Sequence, residues 1–286
     1  MTRIAMRARR LLCALGAGIF VLALGCAAVE PGTFTARDGR VVHRELLAHP
    51  QEPNKRIELF WTKPAGDGPY PAVLFIHGHQ EDIRNGGEQY VRSGRLGAMA
   101  ARSYVAAALS QPGYGNSSGP ADFCGPFTQQ AALAALEFLR LQRFVKADKV
   151  ALYGYSRGAI VGGMVATKDG RLAAVVLGGG AYDFFTWYPT PLPGIDANIR
   201  RESGTSAEAF MARSALHHAS AIRAPVLLLH GALDERVHPS QASAFAEKLT
   251  AAGVPVTLRI FPGTQHGIPF AQQSSELYPF LEARLR

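Results

Sequence analysis

Six short apolar runs that alternate with stretches of helical spacing constrain this chain more than any other feature. The runs are Ala72–Ile76, Tyr104–Leu109, Val150–Tyr153, Leu172–Leu177, Pro225–Leu229 and Val256–Phe261. Continuous apolar runs of this length suit strands buried on both faces. The intervening spacing predicts helices over Glu88–Ala101, Phe127–Phe144, Gly158–Thr167, Ser240–Ala252 and Phe270–Leu285. In the second of these, Leu133, Leu136 and Leu139 or Arg140 fall at three- and four-residue spacing, as on a one-sided helix. Alternation of strands and helices implies an α/β architecture, a mostly parallel sheet flanked by helices. Upstream, after a flexible stretch at Pro31 and Gly32, Val41–Leu47 and Arg56–Thr62 read as two antiparallel strands, with Pro53 and Asn54 supplying the turn. At 286 residues and 48% apolar composition, with no break in the middle, one large core and one domain over residues 26–286 are expected.

The rhythm fails once. Residues 178–224 separate two successive core strands and hold Phe184, Phe185, Trp187, Tyr188 and three prolines. A long insertion this aromatic suits a small cap at about 181–220, set over the carboxyl edge of the sheet where open α/β sheets bind ligands. Trp187 and Tyr188 are candidate substrate-binding residues there; simple packing of the cap is the competing use of the same side chains.

The N-terminus reads differently. Four arginines (Arg3, Arg7, Arg9, Arg10) without an acid precede the uncharged apolar run Leu11–Leu24, which is the layout of a secretory signal over residues 1–25. The run is shorter than the roughly 20 residues that span a bilayer comfortably. It ends in Leu22 to Cys26, which resembles a bacterial lipobox, although Ala23 stands where leucine is preferred and Cys26, Ala27 and Ala28 also suit an ordinary signal peptidase. The expectation is an exported protein, either a periplasmic or membrane-attached lipoprotein anchored at Cys26, or a secreted one. A lipidated Cys26 leaves Cys124 as a lone thiol, and a disulfide between the two is the alternative. Loss of the leader arginines takes the net charge from +8 to +4, with no basic block that would recognise nucleic acid. No Cys/His spacing suits zinc, and no cofactor is expected.

Gly154-Tyr155-Ser156-Arg157-Gly158 stands where a strand gives way to a helix. This is the G-x-S-x-G nucleophile elbow of the α/β-hydrolase fold, in which the glycines permit a strained turn that lifts the serine hydroxyl clear of the backbone. A serine hydroxyl needs a base to take its proton. Of nine histidines, only His266, in the loop between the last strand and the last helix, fits the fold's order of Ser, then acid, then His. The acid should follow the preceding strand; Asp234 does, with Glu235 beside it and Asp183 as a more distant rival. Two backbone N–H groups for a transition-state oxyanion are expected from Arg157, after the nucleophile, and His79, after the first core strand. His77 is expected to be packed and hydrogen-bonded. Tyr155, beside the serine, is a third candidate substrate-binding residue.

Residues Ser214–Gly231, Asp234–Val237, Ala251–Val256 and Phe261–Gly267 resemble the catalytic domain of the prolyl oligopeptidase family, with related esterases sharing much of the pattern. The resemblance runs from about Pro71 to Arg286. It implies a Ser-Asp-His hydrolase acting on ester or peptide bonds of a small ester or short peptide. Three departures favour an ester. Too little chain precedes Ala72 for the family's peptide-screening propeller, His77 stands where some members place an oxyanion-hole tyrosine, and no paired-glutamate motif for a peptide amino terminus is visible. A peptidase of the family is the alternative, and a catalytically silent ligand-binding member of the fold is a further one. The sequence does not fix the oligomeric state.

Overall fold

A computed structural model describes residues 30–286. The expected leader over residues 1–25 and Cys26 lie outside the described residues. Nine strands form one sheet in the order β1-β2-β3-β5-β4-β6-β7-β8-β9. They are β1 (Gly32–Thr35), β2 (Val41–Ala48), β3 (Arg56–Thr62), β4 (Tyr70–Ile76), β5 (Val105–Leu109), β6 (Val145–Tyr155), β7 (Ala174–Gly178), β8 (Val226–Gly231) and β9 (Val256–Phe261). The first three strands and the β3–β5 pair are antiparallel, and every pair from β5 through β9 is parallel. The expected α/β-hydrolase architecture is therefore present, with an antiparallel edge on a parallel sheet.

Helices cover both faces: α1 (Glu88–Arg92), α2 (Arg95–Ala100), α3 (Pro126–Arg140), α4 (Arg157–Lys168), α8 (Ser240–Ala251) and α9 (Phe270–Leu285). Because successive strand side chains point to opposite faces, each central strand feeds two cores. Leu74 and Ile76 of β4 and Leu152 of β6 pack with Leu136 of α3 and Val161 of α4. Val73, Phe75 and Tyr153 pack with Met99 of α2 and Leu281 of α9 on the other side. The segment between β7 and β8 carries α5 (Phe184–Trp187), α6 (Pro193–Glu202), α7 (Ala207–Met211) and a 3-10 stretch at Ala215–Ala221.

Three local expectations are corrected. The single helix expected over Glu88–Ala101 is two, because Gly94 takes φ 72° between them, a left-handed conformation that ends a helix cheaply only at glycine. The helix expected to reach Phe144 stops at Arg140, since Val145 pairs with Tyr70 in the sheet. The stretch after Pro31 is not a flexible lead-in but strand β1; all four residues are exposed, so backbone pairing to β2 holds it and no apolar pattern marks it.

Candidate active site

Ser156 sits at the turn from β6 into α4 with φ 56° and ψ −120°, a region that costs a non-glycine residue of order 1–3 kcal/mol. Its surroundings over-determine that strain. The Ser156 amide donates to the Gly178 carbonyl at 2.7 Å. A Cβ on Gly154 would collide with the Gly158 carbonyl, and one on Gly158 with the Ile76 carbonyl, so only glycine fits at either end of the elbow. Gly78 allows a third close approach: a side chain there would stand 3.0 Å from the Ser156 Cβ.

Three expected residues meet at this turn. His266 Nε2 lies 2.9 Å from Ser156 Oγ, and its Nδ1 lies 2.7 Å from Asp234 Oδ2. Since the carboxylate can only accept, Nδ1 carries the proton and Nε2 is left free to accept from the serine hydroxyl. The Asp234 side chain is fully buried at the end of β8. Its Oδ1 accepts from the amides of Arg236 at 2.9 Å and Val237 at 3.0 Å. Burial alone would raise its pKa, but hydrogen bonds from His230 and His266, the His266 charge and the Val237 amide outweigh it and hold the group well below the usual carboxylate range. The two rival acids are elsewhere. Glu235 is exposed, and Asp183 caps α5 through the Phe185 amide and pairs with His217 Nε2 at 3.0 Å.

The two expected oxyanion donors flank the serine. Arg157 is the first residue of α4, where a helix N–H has no intrahelical acceptor. The His79 amide has no backbone acceptor among the described residues. Both residues line a cavity of about 60 Å³ together with Ser156 and His266, and Phe123, Ile160, Trp187 and Val237 supply its apolar wall. Trp187 stands in that wall with its indole N–H fixed on the Arg236 carbonyl at 3.0 Å. His77 is wholly buried. Its Nδ1 faces the Gly78 carbonyl at 2.7 Å and its Nε2 accepts from the Gln111 amide, while burial above all lowers its pKa to about 4.

Two expected substrate-binding residues are placed differently. The Tyr155 hydroxyl donates to the His266 carbonyl and accepts from the Ile268 amide at 2.9 Å, so this ring braces the histidine loop from behind and does not line the cavity. Burial pushes that hydroxyl's pKa up to about 12. Tyr188, half-buried, packs 5.4 Å from Phe210 and accepts from Arg200; it does not line the cavity either.

The structure adds partners that sequence reasoning missed. His230, fully buried, aims Nε2 at both the Val237 carbonyl (2.8 Å) and Asp234 Oδ2 (3.2 Å). Its place four residues before Asp234, at the end of a core strand, is the signal that could have found it. Arg157 turns its buried side chain onto Glu202 of α6 at 2.8 Å, with the guanidinium 4.1 Å from the Phe123 ring centre. No spacing in the sequence announces that tertiary pair. Among the described residues, no cluster of three or more His, Cys, Asp or Glu side chains could hold a metal ion.

Fold and site together define a serine hydrolase of the α/β-hydrolase fold. The prolyl oligopeptidase family model matches residues 126–283, and the chain belongs to that family; the X-Pro dipeptidyl-peptidase (S15 family) model matches residues 55–193. The uncharacterized peptidase YtmA of Bacillus subtilis (strain 168) is 29% identical over 75% of this chain and 82% of its own length. Dipeptidyl peptidase 8 of Mus musculus is 26% identical over 70% of this chain, which spans only 23% of that protein. Among solved structures, the acylaminoacyl peptidase of Pyrococcus horikoshii superposes with a TM-score of 0.70 at 20% identity, covering 90% of this chain and 42% of its own. The acetyl xylan esterase from Paenibacillus sp. R4 also gives 0.70, at 17% identity over 90% and 88% of the two chains. At such identities the structural likeness speaks for the fold.

Proposed function

We propose that this protein hydrolyses acyl bonds through an acyl-enzyme, with Ser156 as nucleophile, His266 as general base and then acid, and Asp234 as the group that orients and balances the imidazole. The observation that carries the reading is the continuous chain from Ser156 Oγ through His266 to Asp234 Oδ2, at 2.9 and 2.7 Å. Oγ attacks the carbonyl carbon as His266 Nε2 takes its proton, and the carboxylate stabilises the imidazolium. The amides of Arg157 and His79 receive the negative charge that develops on the carbonyl oxygen. Collapse breaks the bond to the leaving group, which takes its proton from His266, and a water activated by the same nitrogen then releases the acyl group.

An ester substrate is supported by His77, whose buried, hydrogen-bonded ring offers no hydroxyl to the oxyanion. A peptide substrate is supported by the family and by the peptidases among the relatives. A panel of acyl esters beside aminoacyl and prolyl amides decides between them. Ser156→Ala should lower turnover of a short p-nitrophenyl ester by about 10⁴-fold or more with an unchanged circular dichroism spectrum. Full activity in that variant refutes the proposal. Export is supported by the arginine-led apolar run over residues 1–25, and Cys26 is the residue a lipid anchor would use. Recovery of the unprocessed chain from the cytoplasm, identified by mass spectrometry, contradicts export.

A further inference from the structure

Two spaces of very different size meet at His266. One is the cavity of about 60 Å³ that holds Ser156 and both oxyanion donors. The other is a groove of about 440 Å³ that shares His266 and Arg236 with the first but does not include Ser156; Leu192, Leu233, Glu235 and Gln265 line it. The cavity is by far the smaller of the two. Arg157, in its wall, belongs to a buried pair. The Arg157 guanidinium lies over Phe123 and is held by Glu202, and both side chains are less than a tenth exposed. The groove is open and of mixed character, with Leu192 and Leu233 exposed beside a carboxylate and an amide.

The chemistry of the proposed reaction assigns the two spaces. The carbonyl oxygen must face the amides of His79 and Arg157 inside the cavity, while the departing heteroatom must face His266 Nε2 to receive its proton. The acyl part then fills the cavity and the leaving group runs into the groove. We propose that the substrate is an ester with a short acyl part on an alcohol that is the larger half of the molecule, and that the Arg157–Glu202 pair sets the acyl limit. This rests on the hydrolase reading above. The step balances as ordinary hydrolysis: the bond from acyl carbon to alcohol oxygen breaks, one from acyl carbon to Ser156 Oγ forms, the serine proton leaves on the alcohol through His266, and water restores the serine.

The test varies each half separately. With the alcohol fixed as p-nitrophenol, kcat/KM should fall at least tenfold from butyrate to octanoate. Arg157→Ala, which keeps the backbone donor, should raise the octanoate-to-acetate ratio at least fivefold whatever it does to the absolute rates. With the acyl part fixed as acetate, Leu233→Trp, a change at an exposed position that folding tolerates, should lower the ratio of kcat/KM for 1-naphthyl acetate over ethyl acetate at least threefold. A fluorophosphonate-reactive Ser156 with octanoate cleaved as fast as butyrate, with the naphthyl-to-ethyl ratio unmoved, or with no ester turned over, overturns this inference alone. An unreactive Ser156 with no turnover overturns the hydrolase reading and the inference with it.

Discussion

Asp234 is held from both of its carboxylate oxygens. Two amides hold Oδ1, while His266 and His230 share Oδ2, so the carboxylate is fixed against the His266 imidazole. Asp234→Asn replaces an acceptor with an amide that cannot hold the same tautomer, and kcat should fall by about 10⁴-fold, measured under substrate saturation. The sign of the pH effect follows from the lowered pKa. The folded state holds this carboxyl ionised below its unfolded value of about 3.9, so its contribution to stability is complete above that value and is lost as the pH falls through the folded one. Urea midpoints recorded from pH 5 to pH 2 should therefore drop less steeply in the asparagine variant. His230→Phe removes a donor from Asp234 and leaves the Val237 carbonyl bare in a fully buried place, which should cost about 1–3 kcal/mol in urea unfolding and lower kcat more than it changes KM.

The strand-to-helix turn around Ser156 and the loop after β4 are built against each other. Gly158→Ala drives a methyl group into the backbone of Ile76 and His77, so a loss of about 3 kcal/mol or more and of most activity is expected, read by thermal unfolding beside an ester assay. The same loop carries an acid sensitivity. His77 is kept neutral down to about pH 4 chiefly by burial, whereas the unfolded chain protonates it near 6.5, so about 3 kcal/mol of stability should disappear as the pH falls between those values. His77→Gln, whose amide oxygen can still accept from Gln111, should flatten that slope. These local features explain what the sequence revealed. The core strands were legible because strands buried on both faces read as unbroken apolar runs, and the G-x-S-x-G turn was legible because only glycine fits at either end. Strand β1 was not, being exposed throughout and held by backbone pairing. Tyr155 and Tyr188 were placed in the wrong surroundings because adjacency to Ser156 or to Trp187 in sequence says nothing about which side of a turn a ring takes. Glu202 and His230 gain their roles only through tertiary contacts.

On the scale of the whole molecule, the carboxyl ends of β6 and β8 and the loop after β9 deliver one group each to a single point, and the segment after β7 closes over it with Trp187, Ile195 and Asn198. Arg213 ties that segment to the body of the domain, donating to the carbonyls of Phe123, Asp122 and Ala209 at 2.9, 2.6 and 2.7 Å. Because Phe123 is also a cavity wall, Arg213→Met should lower stability by about 2–4 kcal/mol, read by urea unfolding, and raise KM for short esters severalfold. The central claim is that the three groups act as one catalytic unit with Ser156 as its nucleophile. Intact-protein mass spectrometry after brief exposure to a fluorophosphonate tests it most directly. One adduct should form on the wild-type chain and map to Ser156, form far more slowly on His266→Ala, and be absent from Ser156→Ala. An adduct that persists in Ser156→Ala, or that never forms on the folded wild-type protein, contradicts the claim.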